Sequence, residues 1–184
     1  MPTVEQRVQS WLKGPFDEET KREIRRLLSD DPEALSDAFF KDLSFGTGGM
    51  RGIMGIGTNR MNVYTIRMAT QGLAHYILQM VGPKCTVFVG FETRHHSREF
   101  AEETAKVFAG NGMRVLLSKE ITPTPLVSFA CRYYKCSSAV MITASHNPPQ
   151  YNGYKVYWSD GCQVVPPHDE GIMTEVAKIK SPDQ

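Results

Sequence analysis

Apolar positions are sparse over the first forty residues and return at helical spacing. In EETKREIRRLL (18–28), Ile24, Leu27 and Leu28 recur among charges, which predicts an amphipathic helix with acidic residues in its first turn, where the helix dipole favours them. Asp30, Asp31 and Pro32 interrupt it, and Pro32 suits the first turn of a second helix over PEALSDAFF. Residues 1–42 therefore read as a helical arm laid on the main domain. The stretch FGTGGMRGIMGIGTNRMN (45–62) holds six glycines, which predicts turns and at most a short strand near 53–56. A longer helix comes next over 63–81, with Ile66, Leu73, Ile77 and Val81 on one stripe, Asn62 as its cap and Gly82-Pro83 as its stop.

From residue 84 the rhythm changes. KCTVFVG (84–90), MRVLL (113–117) and SSAVMI (137–142) are short apolar runs rich in β-branched residues, separated by the amphipathic stretches 97–112 and 124–134. Short continuous apolar strands alternating with single helices indicate a largely parallel sheet buried on both faces. The prediction is an α/β fold: residues 43–184 form a three-layer α/β/α sandwich with a mostly parallel mixed sheet. NGYKVYW adds a strand suited to an antiparallel edge, and PPHDEGIMTEVAKIK closes with a helix carrying Ile172, Val176 and Ile179. Ligands of such sheets lie beyond the carboxyl ends of the strands, here the loops GFETRHHS, SKEITPTP and TASHNP.

Charge narrows the function. The 21 Lys/Arg and 20 Asp/Glu divide as 7 against 10 over 1–42 and 14 against 10 over 43–184, too mild for a nucleic-acid-coating surface but compatible with a local anion site. Cys85, Cys131, Cys136 and Cys162 form no CxxC pair and read as reduced thiols. No run approaches the length of a membrane span, and the start MPTVEQRVQSW lacks the apolar segment of a signal peptide, so a cytoplasmic protein without nucleic-acid or membrane partners is expected. His95 and His96 lack a third ligand at motif spacing and read as surface residues of a turn. Arg94 reads as the partner of Glu92 or Glu99, and the tyrosines as packing residues.

ITASHNPPQYNGYK (142–155) concentrates the chemistry. Ser145 emerges where an apolar strand ends, with Thr143, His146 and Asn147 beside it. Serine hydrolysis fits poorly, because the segment is not a G-x-S-x-G elbow and an adjacent histidine is badly placed as an oriented base. A serine that carries a phosphoryl group needs donors and positive charge instead. Arg51, in GTGGMRG, offers a guanidinium fork for phosphoryl oxygens. Lys155 offers an ammonium after an Asn152-Gly153 turn, at the start of the next strand, for proton transfer or phosphate contact. The structural alternatives are a local cap for Ser145, a solvent-facing Arg51 and an edge-strand Lys155.

TASHNP around Ser145, FGTGGMRG around Arg51 and YNGYK around Lys155 together resemble the α-D-phosphohexomutase family of phosphoglucomutases and phosphomannomutases, over about residues 40–180. The continuation MGIGTNRMN is more similar to the branch of phosphoglucomutase 2-like proteins and phosphopentomutases. The resemblance implies an intramolecular phosphotransferase. Phosphorylated Ser145 would donate to a hexose or pentose monophosphate, forming a sugar bisphosphate, and recover the other phosphate. Glucose or mannose phosphates are the first expectation; ribose or deoxyribose phosphates, or a non-catalytic phosphosugar-binding module, are the alternatives. It further implies Arg51 as stabiliser of transferring charge, Lys155 as acid-base or phosphate-binding group, His146 and Asn147 as shapers of the loop, and Mg²⁺ on a phosphoryl oxygen of Ser145. The family's D-G-D-x-D metal loop does not occur in this sequence, and GFETR carries Glu92 where aspartate is usual. The implied object is an N-terminal domain whose C-terminal domains lie elsewhere in a longer polypeptide.

Overall fold

The computed structural model describes residues 2–46 and 48–183. Three helices open the chain: α1 (Val4–Lys13), α2 (Glu18–Asp30) and α3 (Pro32–Phe39). Each has a side-chain N-cap, from Thr3, Asp17 and Asp31 respectively. Such caps satisfy amide groups that a helix start leaves unpaired. Val8, Trp11, Ile24, Leu35, Ala38 and Phe39 form a core of their own, closed by Tyr64 from the next helix in the chain. Trp11 stacks on Phe16 at 4.1 Å and meets Tyr64 edge-on at 5.5 Å. The arm thus packs through aromatic contacts, which the charged 18–28 helix does not advertise.

The remaining elements are β1 (Gly49–Ile53), α4 (Val63–Val81), β2 (Thr86–Phe91), α5 (Ser97–Gly110), β3 (Arg114–Leu117), α6 (Thr124–Tyr133), β4 (Ser138–Ile142), β5 (Tyr151–Trp158) and α7 (His168–Val176). The sheet order is β1-β5-β4-β2-β3. β2 pairs in parallel with both β3 and β4, whereas β5 runs antiparallel to β4 and to β1. Side-chain alternation assigns the two faces. Val87, Val89, Phe91, Val140, Ile142, Tyr154 and Val156 join the large core beneath α4, α5 and α7. Phe88, Ala139, Met141 and Tyr157 pack on the opposite side against Val127, Ala130 and Cys131 of α6. This is the expected α/β/α arrangement with an N-terminal helical region, and all four cysteines are free thiols.

Two details correct the sequence reading. The glycine-rich stretch forms a strand at Gly49–Ile53, not near 53–56, and β5 lies inside the sheet between β1 and β4 instead of at its edge. Asn152 and Gly153 are consequently strand residues, not a turn, and Lys155 sits in the middle of β5. The reason is close backbone approach. A Cβ at Gly153 would stand 2.5 Å from the Thr143 carbonyl, and one at Gly49 would stand 1.9 Å from the Tyr154 carbonyl. These glycines let three strands meet at one end of the sheet.

This packing can be tested at two points. Gly49, at φ +139°, accepts no side chain without displacing β1 from β5; Gly49→Ala should lower unfolding free energy by roughly 2–4 kcal/mol, read from urea midpoints. Asp17 accepts from the Thr20 backbone N–H at 2.7 Å and from the Tyr64 hydroxyl, and these bonds, Thr20 first, hold its carboxyl below the usual range. A depressed folded-state pKa contributes stability above the unfolded value that is lost as pH falls through the folded one. Acidification below about pH 4 should therefore destabilise the wild type more than Asp17→Asn, measured by thermal melts across pH.

Candidate functional site

The parallel strands β2 and β4 deliver Glu92 and Thr143 to the same end of the sheet. Thr143 continues the pairing of β4 with β5, its N–H bonded to the Gly153 carbonyl at 3.0 Å, and Gly153 lies opposite Arg51 of β1. Residues directly opposite in adjacent strands share a face. Arg51, Gly153, Thr143 and Glu92 therefore form one cross-strand row on the α6 side, at the carboxyl ends of β2 and β4. Lys155 occupies the next row, opposite Gly49 and Met141 and about 7 Å further along β5. Its ammonium has no hydrogen bond or ion pair with the described residues.

Beyond Thr143 and Ala144, both buried, the chain surfaces at Ser145. Ser145 has φ +60°, a left-handed conformation that a non-glycine residue adopts only when its surroundings hold it. They do so on both sides. The Ser145 N–H donates to Thr143 Oγ1 at 2.9 Å, and the Thr143 hydroxyl donates in turn to Glu92 Oε1. On the carbonyl side Arg94 donates to the Ser145 and Asn147 carbonyls at 2.8 and 2.7 Å, and to those of Pro148 and Tyr151 at 2.9 and 3.1 Å. Its Nε completes the set on Glu92 Oε1 at 3.0 Å.

The structure brings four of the five sequence-selected residues to this loop. Arg51 Nη1 donates to Asn147 Oδ1 at 2.8 Å across 96 residues of sequence, so the N-terminal glycine-rich segment and the serine loop do meet. His146 Nδ1 lies 3.5 Å from Ser145 Oγ, at the limit of a hydrogen bond, and its ring is exposed. Lys155 shares the face but is not in contact through a hydrogen bond. Arg94 pairs with Glu92, one of the two architectural partners that the sequence suggests for it, and its hold on the serine loop is what sequence reasoning missed. The only signal available is an arginine two positions after a strand-end carboxylate, which says nothing about four carbonyls over fifty residues away.

His95 and His96 are exposed, and His96 pairs with Glu99 at 2.7 Å. An open cleft of about 540 Å³ lies beside Glu92 and Arg94, lined also by Arg98 and Lys119, but not by Ser145, Arg51 or Lys155. Among the described residues no three His, Cys, Asp or Glu side chains stand together as a metal-binding group. The described residues alone thus do not present a divalent-cation donor set. No helix among them is long and apolar enough to cross a membrane.

The site is thus a serine on a left-handed strand-end turn, held through its N–H by Thr143 and through its carbonyl by Arg94, with an arginine from β1 bonded to the same loop. Residues 42–183 match phosphoglucomutase/phosphomannomutase, alpha/beta/alpha domain I, and the chain belongs to that family. It is 42% identical over 170 residues to phosphoribomutase of Saccharomyces cerevisiae, covering 90% of this chain and 27% of that protein. It is 41% identical over 140 residues to a phosphoglucomutase of Staphylococcus epidermidis, covering 76% of this chain and 26% of that protein. A crystal structure from Thermus thermophilus, assigned as a phosphomannomutase, superposes with a TM-score of 0.69 at 33% identity, over 74% of this chain and 30% of that one. The chain spans between about a quarter and a third of the length of these relatives.

If Thr143 is the link between Glu92 and the Ser145 amide, Thr143→Val should cost about 1–2 kcal/mol by leaving that N–H unpaired. Faster amide hydrogen exchange at Ser145, with the β4 amides unchanged, is the expected readout.

Proposed function

We propose that this chain is the phosphoserine domain of a longer phosphosugar mutase, and that the sugar is a pentose. The observation that carries the first part is the Ser145 turn itself, exposed at the end of a buried strand with the Arg51 guanidinium joined to its neighbour Asn147 at 2.8 Å. In the proposed cycle, phosphorylated Ser145 gives its phosphoryl group to a free hydroxyl of a sugar monophosphate. The P–Oγ bond breaks, a P–O bond to the sugar forms, and the proton that the sugar hydroxyl surrenders ends on the departing Ser145 oxygen, restoring its hydroxyl. The bisphosphate then reorients, and the Ser145 hydroxyl takes the other phosphoryl group, its proton passing to the departing sugar oxygen.

Each residue has a role within this scheme. Arg51 spreads and stabilises charge on the transferring group, as a fixed fork of donors does better than water. His146 or Lys155 moves the proton. Asn147 holds Arg51 in line before substrate arrives, and with Lys155 contacts phosphate oxygens. Mg²⁺, if bound, would take one phosphoryl oxygen of Ser145 from this chain, with its remaining ligands supplied from outside it.

The extent of similarity supports a pentose. The residue motifs favour hexose phosphates first, but the match to the yeast phosphoribomutase covers 90% of the chain, more than residues 43–184 alone supply, and so runs into the helical arm. The phosphoglucomutase match covers 76%. That supports ribose or deoxyribose phosphates, exchanged between the 1- and 5-positions, as the substrates, with the sugar bisphosphate as intermediate and activator.

The experiment uses the full-length polypeptide that carries this chain. Incubation with labelled pentose bisphosphate should place the label on Ser145, located by peptide mass spectrometry; Ser145→Ala should lose it while remaining folded, and Arg51→Ala should keep the site but label on the order of 10²–10³ times more slowly. kcat/KM for ribose 1-phosphate should exceed that for glucose 1-phosphate. The reverse order would return the substrate to a hexose, and undiminished labelling of folded Ser145→Ala would remove the phosphoserine assignment.

A further inference from the structure

A guanidinium carries five N–H donors in a rigid plane. Arg94 spends all five inside the protein. Nε goes to Glu92, the two Nη1 donors to the Pro148 and Tyr151 carbonyls, and the two Nη2 donors to the Ser145 and Asn147 carbonyls. Four of the five acceptors belong to one seven-residue segment that begins at the candidate phosphoryl carrier. The Arg94 side chain is largely buried, with 12% of it exposed, and its bonds to Glu92, Asn147 and Tyr151 are partly shielded from water, where hydrogen bonds count for more.

We propose that Arg94, with Glu92 behind it, is the positioning residue of the phosphorylated serine: it sets the loop in its one reactive conformation and does not itself bind phosphate. This rests on the reading of Ser145 as the phosphoryl carrier. With no donor left over, Arg94 cannot grip a substrate oxygen without releasing the loop, whereas Arg51 has, among the described residues, a single side-chain bond, to Asn147, and can turn to a ligand. The clamp also has a directional effect. The 145–146 peptide is trans, so its C=O and N–H point in opposite directions. Capturing the Ser145 carbonyl turns the His146 N–H away from Arg94, and that N–H has no partner among the described residues. It is available to donate to a phosphoryl oxygen on Ser145. Glu92 unites the two halves of the device, because the same Oε1 accepts from Arg94 and from the Thr143 hydroxyl that receives the Ser145 N–H.

Lysine cannot replace this. It keeps the charge but concentrates three donors at one point, too few and too compact for four carbonyls spread over seven residues. The test is made in the full-length polypeptide with Arg94→Lys, Arg94→Ala and Glu92→Gln, each first checked for a cooperative melt; should Arg94→Ala fail to fold, the other two carry the experiment. Arg94→Lys should leave KM for the sugar phosphate within about twofold, while kcat and the rate of Ser145 labelling by the sugar bisphosphate fall together on the order of 10²-fold, the scale expected for a reacting group misplaced by about 1 Å. Amide exchange over 144–149 should quicken in parallel, and Glu92→Gln should show a smaller loss of the same kind. Labelling within about twofold of wild type in folded Arg94→Lys would overturn the positioning role alone. So would a raised KM at unchanged kcat, which would make Arg94 a phosphate ligand. A wild type that carries its label anywhere but Ser145 would instead bring down the phosphoserine reading, and this proposal with it.

Discussion

The organising constraint is the cost of leaving peptide groups without partners where the chain leaves a buried strand. Between Ser145 and Tyr151 the backbone runs through two prolines and cannot pair as sheet, so its carbonyls need donors from elsewhere. One side chain supplies four of them. A polyvalent bond of this sort stabilises a single loop geometry far more selectively than four separate surface contacts would, because displacing any one carbonyl strains the rest. It also explains how Ser145 tolerates a left-handed backbone, which costs about 1–3 kcal/mol in a residue with a Cβ.

That loop would be of little use without β1. The antiparallel addition of Gly49–Ile53 beside β5 places Arg51 in the row that ends at Thr143 and Glu92. Glycines at 49 and 153 make the approach possible, since a methyl group at either would overlap a neighbouring carbonyl. Local glycine content, sheet register and the position of a guanidinium are therefore one chain of cause. The same geometry moves β5 from the edge to the interior and puts Lys155 mid-strand on the α6 face, instead of at the end of a turn.

The arm contributes by a different means. Its three helices bury little against the sheet and are closed instead by Tyr64, at the start of α4. Trp11, Phe16 and Tyr64 meet at 4.1–5.5 Å, while the Tyr64 hydroxyl satisfies Asp17 at the cap of α2. One aromatic residue thereby ties the arm's core to the helix that underlies the main sheet. The similarity to the phosphoribomutase of Saccharomyces cerevisiae covers 90% of the chain, more than residues 43–184 supply, and so reaches into this unit.

Features legible in the sequence are those that depend on local pattern. Alternating apolar runs and capped helices locate β2, β3, β4 and α2 to α7 within a few residues, because periodicity and caps act over one or two turns. The strand-end position of Ser145 is legible for the same reason, and so is the family, since TASHNP, FGTGGMRG and YNGYK are contiguous words. Which distant groups meet is a matter of the assembled fold. Nothing local distinguishes a glycine that turns the chain from one that admits a neighbouring strand, so β1 and the interior place of β5 emerge only from pairing. Nor does an arginine in GFETR disclose that its five donors are used on Glu92 and on residues 145 to 151: hydrogen bonds that close over fifty residues depend on where the fold sets the two ends, and that is a property of the whole sheet.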